Sequence, residues 1–176
     1  MHPDVQRAFD DISSAIEGMN APALERHPEG KWSTAQILEH LLLSFRTSGR
    51  RLEKALQERR TLAEPDTFGQ RFGAFVVVGL GYFPTGRPAP EYVTPKGLPA
   101  GEVLDAVKAA LAEFDAMAAR CADAFGEDVK VSNHPILGAF SIRQWRRFHR
   151  VHTRHHMKQV AKLRADDRGQ AVGGSQ

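Results

Sequence analysis

One stretch of the chain, residues 141–165, decides the fold and reads SIRQWRRFHRVHTRHHMKQVAKLRA. It opens with Ser141, and Gln144 follows three residues later, the capping-box pattern in which each side chain satisfies a free backbone N–H at a helix start. Eight of the 24 Lys and Arg residues of the chain fall between Ser141 and Arg164, and no acid does. The stretch predicts one long cationic helix, ending at about Ala165.

The histidines of this predicted helix share one side. A helix turns about 100° per residue, so His152 and His156 lie about 40° apart and one turn apart in height. That spacing lets two imidazoles share a metal ion. Trp145, His149 and Gln159 lie within roughly 60° of His152. The far side carries six cations, which are expected to face water: Arg146, Arg147, Arg150, Arg154, Lys158 and Arg164.

Three other stretches have apolar residues three or four apart, as in amphipathic helices. They are residues 5–25, residues 33–58, which open with the capping pair Ser33 and Gln36, and residues 100–124. Between the second and third stretches, residues 68–80 are expected to be partly helical. Four of the ten prolines fall within residues 82–98, which are expected to be irregular. A turn is expected at residues 134–140, and no strand is predicted.

Four long amphipathic helices predict an all-α fold, a four-helix bundle in one domain of residues 1–165 with a flexible tail of residues 166–176. Because their links are short, helices 1 and 2 are expected to be antiparallel, and so are helices 3 and 4. The long link between helices 2 and 3 permits a crossover that leaves these two helices parallel. Helices 2 and 4 then run in opposite directions.

A third metal ligand is predicted from the second helix. His40 lies near the start of that helix, and His152 and His156 lie nearer the end of the last one. Antiparallel packing therefore brings the three to a similar level. Ser44 and Ser48, one and two turns beyond His40, are small and polar, and they are expected to line a pocket beside the metal with room for water or substrate.

Other polar side chains near these ligands have open interpretations. His149, one turn before His152, is the candidate proton-transfer group, and the alternative is a buried histidine bonded to a carbonyl. Gln159 is expected to hydrogen-bond a ligand. His155 is expected to support a ligand or lie at an interface, and it could also replace one of the three. Glu39 is expected to face solvent, although it could orient a ligand, and Trp145 is expected to line the pocket.

Composition narrows the function classes. The net charge is +3 and the single cysteine, Cys121, excludes an internal disulfide. There is no apolar secretory segment, and the longest apolar stretch, residues 74–80, is too short to cross a bilayer, so a soluble cytoplasmic protein without a membrane partner is expected. Aromatic residues do not interleave with the cations of the last helix, so nucleic-acid binding is not expected.

Three segments carry a family resemblance. The string His152-Thr-Arg-His155-His156-Met-Lys-Gln159 resembles the H-x-x-H-H-x-x-Q signature that closes the last helix of the DinB/YfiT-like superfamily of metal-dependent hydrolases. The segment from Trp32 to Leu41 resembles that family's W-S-x-x-x-x-x-x-H-L opening of helix 2. Residues 134–145 are similar to a branch whose activity is unassigned.

The resemblance implies a four-helix bundle with a long crossover between helices 2 and 3, and it carries the metal ligands over to His40, His152 and His156. It also implies one divalent ion, which is nickel, zinc, iron or manganese in members of the family, and pairing as a homodimer. Some relatives use a low-molecular-weight thiol, such as bacillithiol or mycothiol, for transfers or isomerisations.

Three neutral imidazoles leave a divalent ion with its full charge and an open position. Such an ion lowers the pKa of bound water to about 7 and can also hold a thiolate. An enzyme acting on a small molecule is therefore expected, either a hydrolase or a thiol transferase. A structural or sensory metal site is the alternative. The apolar residues 68–90 are expected either to cover the site and meet a second subunit or to complete the core.

Overall fold

The computed structural model describes residues 1–84, 86 and 88–173, with side chains through Asp166 apart from those of the two omitted residues. Its elements, in chain order, are α1 (Pro3–Ile16), α2 (Ala21–Glu25), α3 (Thr34–Glu58), α4 (Phe68–Ala74), a π-helical turn (Phe75–Gly79), a 3₁₀ turn (Glu91–Val93), α5 (Ala100–Phe125), β1 (Lys130–His134), β2 (Gly138–Ser141) and α6 (Ile142–Gly173). The four long helices α1, α3, α5 and α6 make up the predicted all-α bundle.

Helices α3 and α6 are antiparallel, as predicted. The ring of His40 lies 4.7 Å from that of His156, and five residues further along α3 the ring of Phe45 lies 4.9 Å from that of His149. A forward step along α3 is therefore a backward step along α6. This direction brings the start of α3 to the middle of α6, where the histidines lie.

Helices α3 and α5 run in the same direction. The carboxylate of Glu39, near the start of α3, accepts hydrogen bonds from backbone just before α5, including the N–H of Gly97. Near the far end, the thiol of Cys121 donates to the carbonyl of Leu52. The long connection of residues 59–99 is therefore the predicted crossover.

The core lies along the shared axis of these helices, where large apolar side chains are excluded from solvent. Each such side chain contributes about 1.5 to 3 kcal/mol through burial. Those exposed by 1% or less include Ile12, Leu38, Leu41, Leu42, Phe45, Leu52, Val103, Val107, Leu111, Phe114 and Trp145.

The prediction of a single first helix over residues 5–25 is wrong, because the helix is interrupted between α1 and α2. Gly18 has a φ of 72°, a left-handed conformation that ends α1. The Asn20 side chain then accepts the N–H of Ala23 and caps a new helix. Both predicted capping boxes are confirmed, by reciprocal hydrogen bonds between Ser33 and Gln36 and between Ser141 and Gln144.

A short antiparallel hairpin, β1 and β2, replaces most of the predicted turn at residues 134–140. Strands of five and four residues are too short to show a reliable alternation in sequence. The helix α6 continues to Gly173, past the predicted end at about Ala165. Residues 174–176 of the predicted tail lie outside the described residues, and the mobility of the tail stays a prediction.

Candidate metal centre

Three buried imidazoles converge between α3 and α6. The Nε2 atom of His152 lies 3.1 Å from Nε2 of His40 and 3.0 Å from Nε2 of His156. Their side chains are 5% to 6% exposed. One ligand atom from each lies within 4.8 Å of the others, so the three could hold a metal ion. The structure thus brings together the three predicted ligands.

His40 is oriented by the crossover segment. Its Nδ1 lies 2.8 Å from the carbonyl oxygen of Val93, and because only the ring nitrogen can donate, Nδ1 carries the hydrogen. Its Nε2 therefore presents a lone pair to the cluster. This is the arrangement that metal-binding histidines commonly adopt, with one nitrogen tied to a carbonyl and the other left for the metal.

The crossover segment is in turn tied to Glu39. The Glu39 carboxylate accepts three backbone N–H groups, from Lys96 at 2.9 Å, Gly97 at 2.9 Å and Leu98 at 3.0 Å. The side chain is only 2% exposed, so the prediction that it faces solvent is wrong. The helical wheel could not show that a loop folds over this side of α3. Glu39 thus helps to place the carbonyl that orients His40.

His156 is oriented by Gln159, one turn later on α6. Its Nδ1 lies 2.9 Å from Oε1 of Gln159, so Nδ1–H donates and Nε2 again presents a lone pair. The Gln159 amide nitrogen lies 3.2 Å from Nε2 of His155. Gln159 therefore hydrogen-bonds one of the predicted ligands, whereas His155 lies beside the cluster, half-buried and outside the group of three.

Donors and acceptors in the cluster do not balance by themselves. Nε2 of His40 and Nε2 of His156 both offer lone pairs to Nε2 of His152, which can carry one hydrogen at most. At least one of the two short N···N contacts therefore joins two lone pairs. A cation among the three nitrogens satisfies all of them, so the donor set fits a divalent metal ion.

Burial keeps these rings neutral, the state a metal requires. It lowers the pKa of His156 to about 3, an effect reinforced by His40. Burial, and then the neighbouring imidazoles, hold the pKa of His152 well below its usual range. The pKa of His40 is also lowered by burial, although its bond to Val93 opposes the shift.

The cluster opens on a cavity of about 800 Å³. Besides the three histidines, its walls include every other predicted pocket or supporting residue, namely Ser44, Ser48, Trp145, His155 and Gln159. The crossover segment covers part of it, as one interpretation of residues 68–90 required. From this segment the ring of Phe83 lies 5.1 Å from that of His152 and 4.8 Å from that of His155. Sequence reasoning did not single out Phe83, although it lies in the predicted covering stretch.

His149, the predicted proton-transfer group, has a different setting. Its side chain is 0% exposed, it does not line the cavity, and neither ring nitrogen has a hydrogen-bond partner. Burial lowers its pKa to about 3. Aromatic rings surround it, those of Phe45, Phe114, Trp145 and Phe148. This setting favours neither the catalytic role nor the alternative of a carbonyl bond, and the catalytic role stays a prediction.

The cations of α6 do not all face water as expected. Arg146 is 6% exposed and lies 3.2 Å from the carboxylate of Glu127. Arg150 pairs with Asp4 at 3.0 Å, and Arg147 donates to the carbonyl of Val78. These arginines join α6 to its neighbours, whereas Arg154 and Lys158 are exposed. Fewer cations are therefore free to contact a nucleic-acid backbone.

The fold and the cluster together define a helical-bundle protein with a three-histidine pocket that could hold a metal ion. The family model described as the DinB superfamily matches residues 5–160, and the chain belongs to that superfamily. No curated protein and no solved structure matches. Among the described residues, no helix has the length and apolar character needed to cross a membrane.

Proposed function

We propose that this protein is a metal-dependent enzyme in which His40, His152 and His156 bind one divalent ion and the adjoining cavity binds a small-molecule substrate. The observation that supports this most directly is the convergence of three Nε2 atoms at the wall of a large cavity. Two of these atoms present lone pairs, because the other nitrogen of each ring donates a hydrogen bond. The resemblance to metal-dependent relatives points to nickel, zinc, iron or manganese.

A divalent ion held there supplies Lewis-acid chemistry, which polarises a carbonyl or stabilises a thiolate. The reaction we propose is therefore hydrolysis or transfer to a low-molecular-weight thiol. The chain's own contributions are orientation and exclusion of water. Val93 and Gln159 hold two of the ligand rings, while the rings of Phe83 and Phe148 stack on His152 at 5.1 Å and 5.3 Å.

A non-catalytic metal site is the second candidate. Structural sites are closed by a fourth protein ligand, whereas catalytic sites keep a position open. Among the described residues, the group that could hold an ion contains these three histidines and no Cys, Asp or Glu. The missing fourth ligand and the neighbouring cavity favour the enzyme.

Metal content and turnover test the proposal together. We expect the purified protein to hold about one ion per chain, and His152→Ala and His156→Ala each to lose it in elemental analysis. His155→Ala is the matched control, because it removes a neighbouring imidazole outside the cluster. Stoichiometric metal in both ligand variants would contradict the site. The protein loaded with each of the four ions is then assayed for ester and amide hydrolysis, and for thiol transfer with bacillithiol or mycothiol. A full metal content without turnover in any assay would favour the non-catalytic candidate.

We also propose that two copies of the chain pair through α4 and the segment after it. Five large apolar side chains there are at least 58% exposed, which is unusual for a surface left in water; they are Phe68, Phe72, Phe75, Leu80 and Tyr82. We expect Phe72→Glu to shift sedimentation from dimer to monomer, with the exposed Arg71→Glu as its control. A monomeric wild-type protein would contradict this.

A further inference from the structure

One face of α3 forms a continuous wall of the cavity. His40, Ser44, Thr47, Ser48 and Arg51 all line it. Arg51 follows His40 by eleven residues, so the two lie only about 20° apart around the helix and about 16 Å apart along it. The wall therefore has an imidazole of the candidate metal centre at one end and a guanidinium at the other.

The guanidinium of Arg51 lacks a partner in the part of the chain that the structure describes. Its Nε atom is buried without a hydrogen bond, and no ion pair joins it to a described carboxylate. Arg51 also borders a smaller groove lined by Glu58 and Glu64, and neither of these carboxylates forms an ion pair with it. The Glu58 carboxylate, however, pairs with Lys54 and Arg60. A half-buried cation without a counter-charge is costly, which makes this position suited to an anionic ligand.

A second donor lines the same cavity. Nδ1 of His134 accepts the backbone N–H groups of Ile136 and Leu137, both at 3.2 Å, so the neutral ring carries its hydrogen on Nε2. Burial and the charge of Arg51 lower the pKa of His134 to about 4, which keeps the ring in that form. Tyr92 is another residue of the cavity wall. Burial raises the pKa of its phenol, and the charge of Arg51 opposes that rise.

The charged side chains around the cavity are mostly positive, which also favours an anionic ligand. Its ionised lining residues among those described are Lys31, Arg51 and Lys162 against Asp166. Most of the remaining wall is apolar, including Val77, Phe83 and several prolines. Such a cavity suits a molecule with an apolar body and a negative end.

We propose that Arg51, at the end of the α3 wall remote from His40, binds a carboxylate or phosphate group of the ligand, with His134 Nε2–H and the Tyr92 hydroxyl as further donors. The ligand is then an elongated small molecule, with its anionic end at Arg51 and its reacting group near His40 and His152. This inference rests on the proposed function, because it names the ligand class of the same cavity.

The test uses the full-length protein and two anionic probes, octanoate and octyl phosphate, with octanamide as the neutral probe. We expect saturable binding of at least one anionic probe in calorimetric titrations. Arg51→Gln should weaken that binding at least about tenfold, because it removes a charge-assisted pair. Binding of octanamide should not change. The probe that binds more tightly to the wild type identifies the anionic group as a carboxylate or a phosphate.

Arg50→Gln is the matched control, since Arg50 is the exposed neighbour on the same helix and the net charge changes equally. Arg51→Lys keeps the charge and should retain most of the affinity, and it replaces Arg51→Gln if that variant unfolds. Equal losses in the Arg50 and Arg51 variants, no loss in either, or no binding to the wild type would each overturn the proposal.

The titrations are repeated in a His152→Ala background, which is designed to remove the metal. If the tenfold difference persists there, the anion binds at Arg51 whether or not the metal proposal holds. If the difference disappears with the metal, the probe binds at the histidine cluster, and the Arg51 site is overturned while the metal site stands.

Discussion

His149 and His152 lie one turn apart on α6, and both are almost completely buried, at 0% and 5% exposure. His152 Nε2 faces two other imidazole nitrogens, whereas neither nitrogen of His149 has a partner. The residue type, the helix and the face are the same for both. The difference arises from what other elements bring, which is a histidine of α3 in one case and the rings of Phe45 and Phe114 in the other. An inward histidine is therefore a candidate ligand only where a second helix supplies a partner.

The largest effect should separate these two histidines by metal affinity. His152→Leu removes the ring common to both short contacts, so we expect well over a 100-fold loss, more than the loss of a supporting bond causes. His149→Leu should change the affinity by less than about threefold, because no nitrogen of this ring reaches the cluster. Calorimetric titration of metal-depleted protein measures both. Similar losses in the two variants would assign His149 to the metal site.

The next effect concerns the support of His40. Glu39→Ala removes the acceptor of three backbone N–H groups, so we expect the free energy of unfolding to fall by about 2 to 3 kcal/mol. Metal affinity should fall as well, because the carbonyl of Val93 loses its fixed position. Chemical denaturation measures the first effect. Glu53→Ala, an exposed glutamate of the same helix, should change stability by less than about 0.5 kcal/mol. Equal stability of the two variants would show that the crossover is held by other contacts.

A smaller effect is expected at the support of His156. Gln159→Leu removes the oxygen that accepts from Nδ1, and loss of such a partner costs about 10- to 100-fold in metal affinity. Gln159→Glu keeps an acceptor at the same place and should retain the wild-type affinity or exceed it. Equally weak metal binding by the two variants would contradict the role of the Gln159 oxygen as the acceptor that orients His156.

The effect expected to be smallest at neutral pH is that of His149, and it grows as the pH falls. Its pKa is about 3 in the folded protein and about 6.5 in the unfolded chain, so the unfolded state takes up a proton as pH falls below 6.5 and the folded state does not. Stability present above pH 6.5 is therefore lost towards pH 3, with a slope approaching about 1.4 kcal/mol per pH unit. His149→Leu should remove the share of this loss that His149 contributes, while the other buried histidines with lowered pKa values keep theirs.

Urea denaturation of wild type and His149→Leu at about pH 7, 5.5 and 4.5 checks that slope. The stability difference between the two proteins should grow as the pH falls, with the variant the more stable in acid. Near neutral pH the variant should be at least as stable, since it leaves no unpaired ring nitrogens in an apolar setting. A difference that is constant with pH would contradict the shifted pKa.

Local patterns were sufficient where the physical cause is local. Ser33 with Gln36 and Ser141 with Gln144 place two helix starts, because a capping box involves backbone only three residues away. The spacing of His152 and His156 places both rings on one side of α6 for the same reason. Arg146 and Glu39 were misplaced because a helical wheel gives angles around one axis. It does not show which sides another segment covers.

The sequence by itself determined most of the long helices, the starts of α3 and α6, and the presence of three histidines able to meet, because hydrophobic periodicity and capping act within a few residues. The tertiary structure alone decided how those histidines differ from their neighbours. The carbonyl of Val93 reaches His40 from 53 residues away, and the cavity wall ends at an arginine whose missing counter-charge no local pattern reveals. Long-range contacts of this kind depend on how the crossover segment folds over α3. They therefore become visible only when the helices are packed.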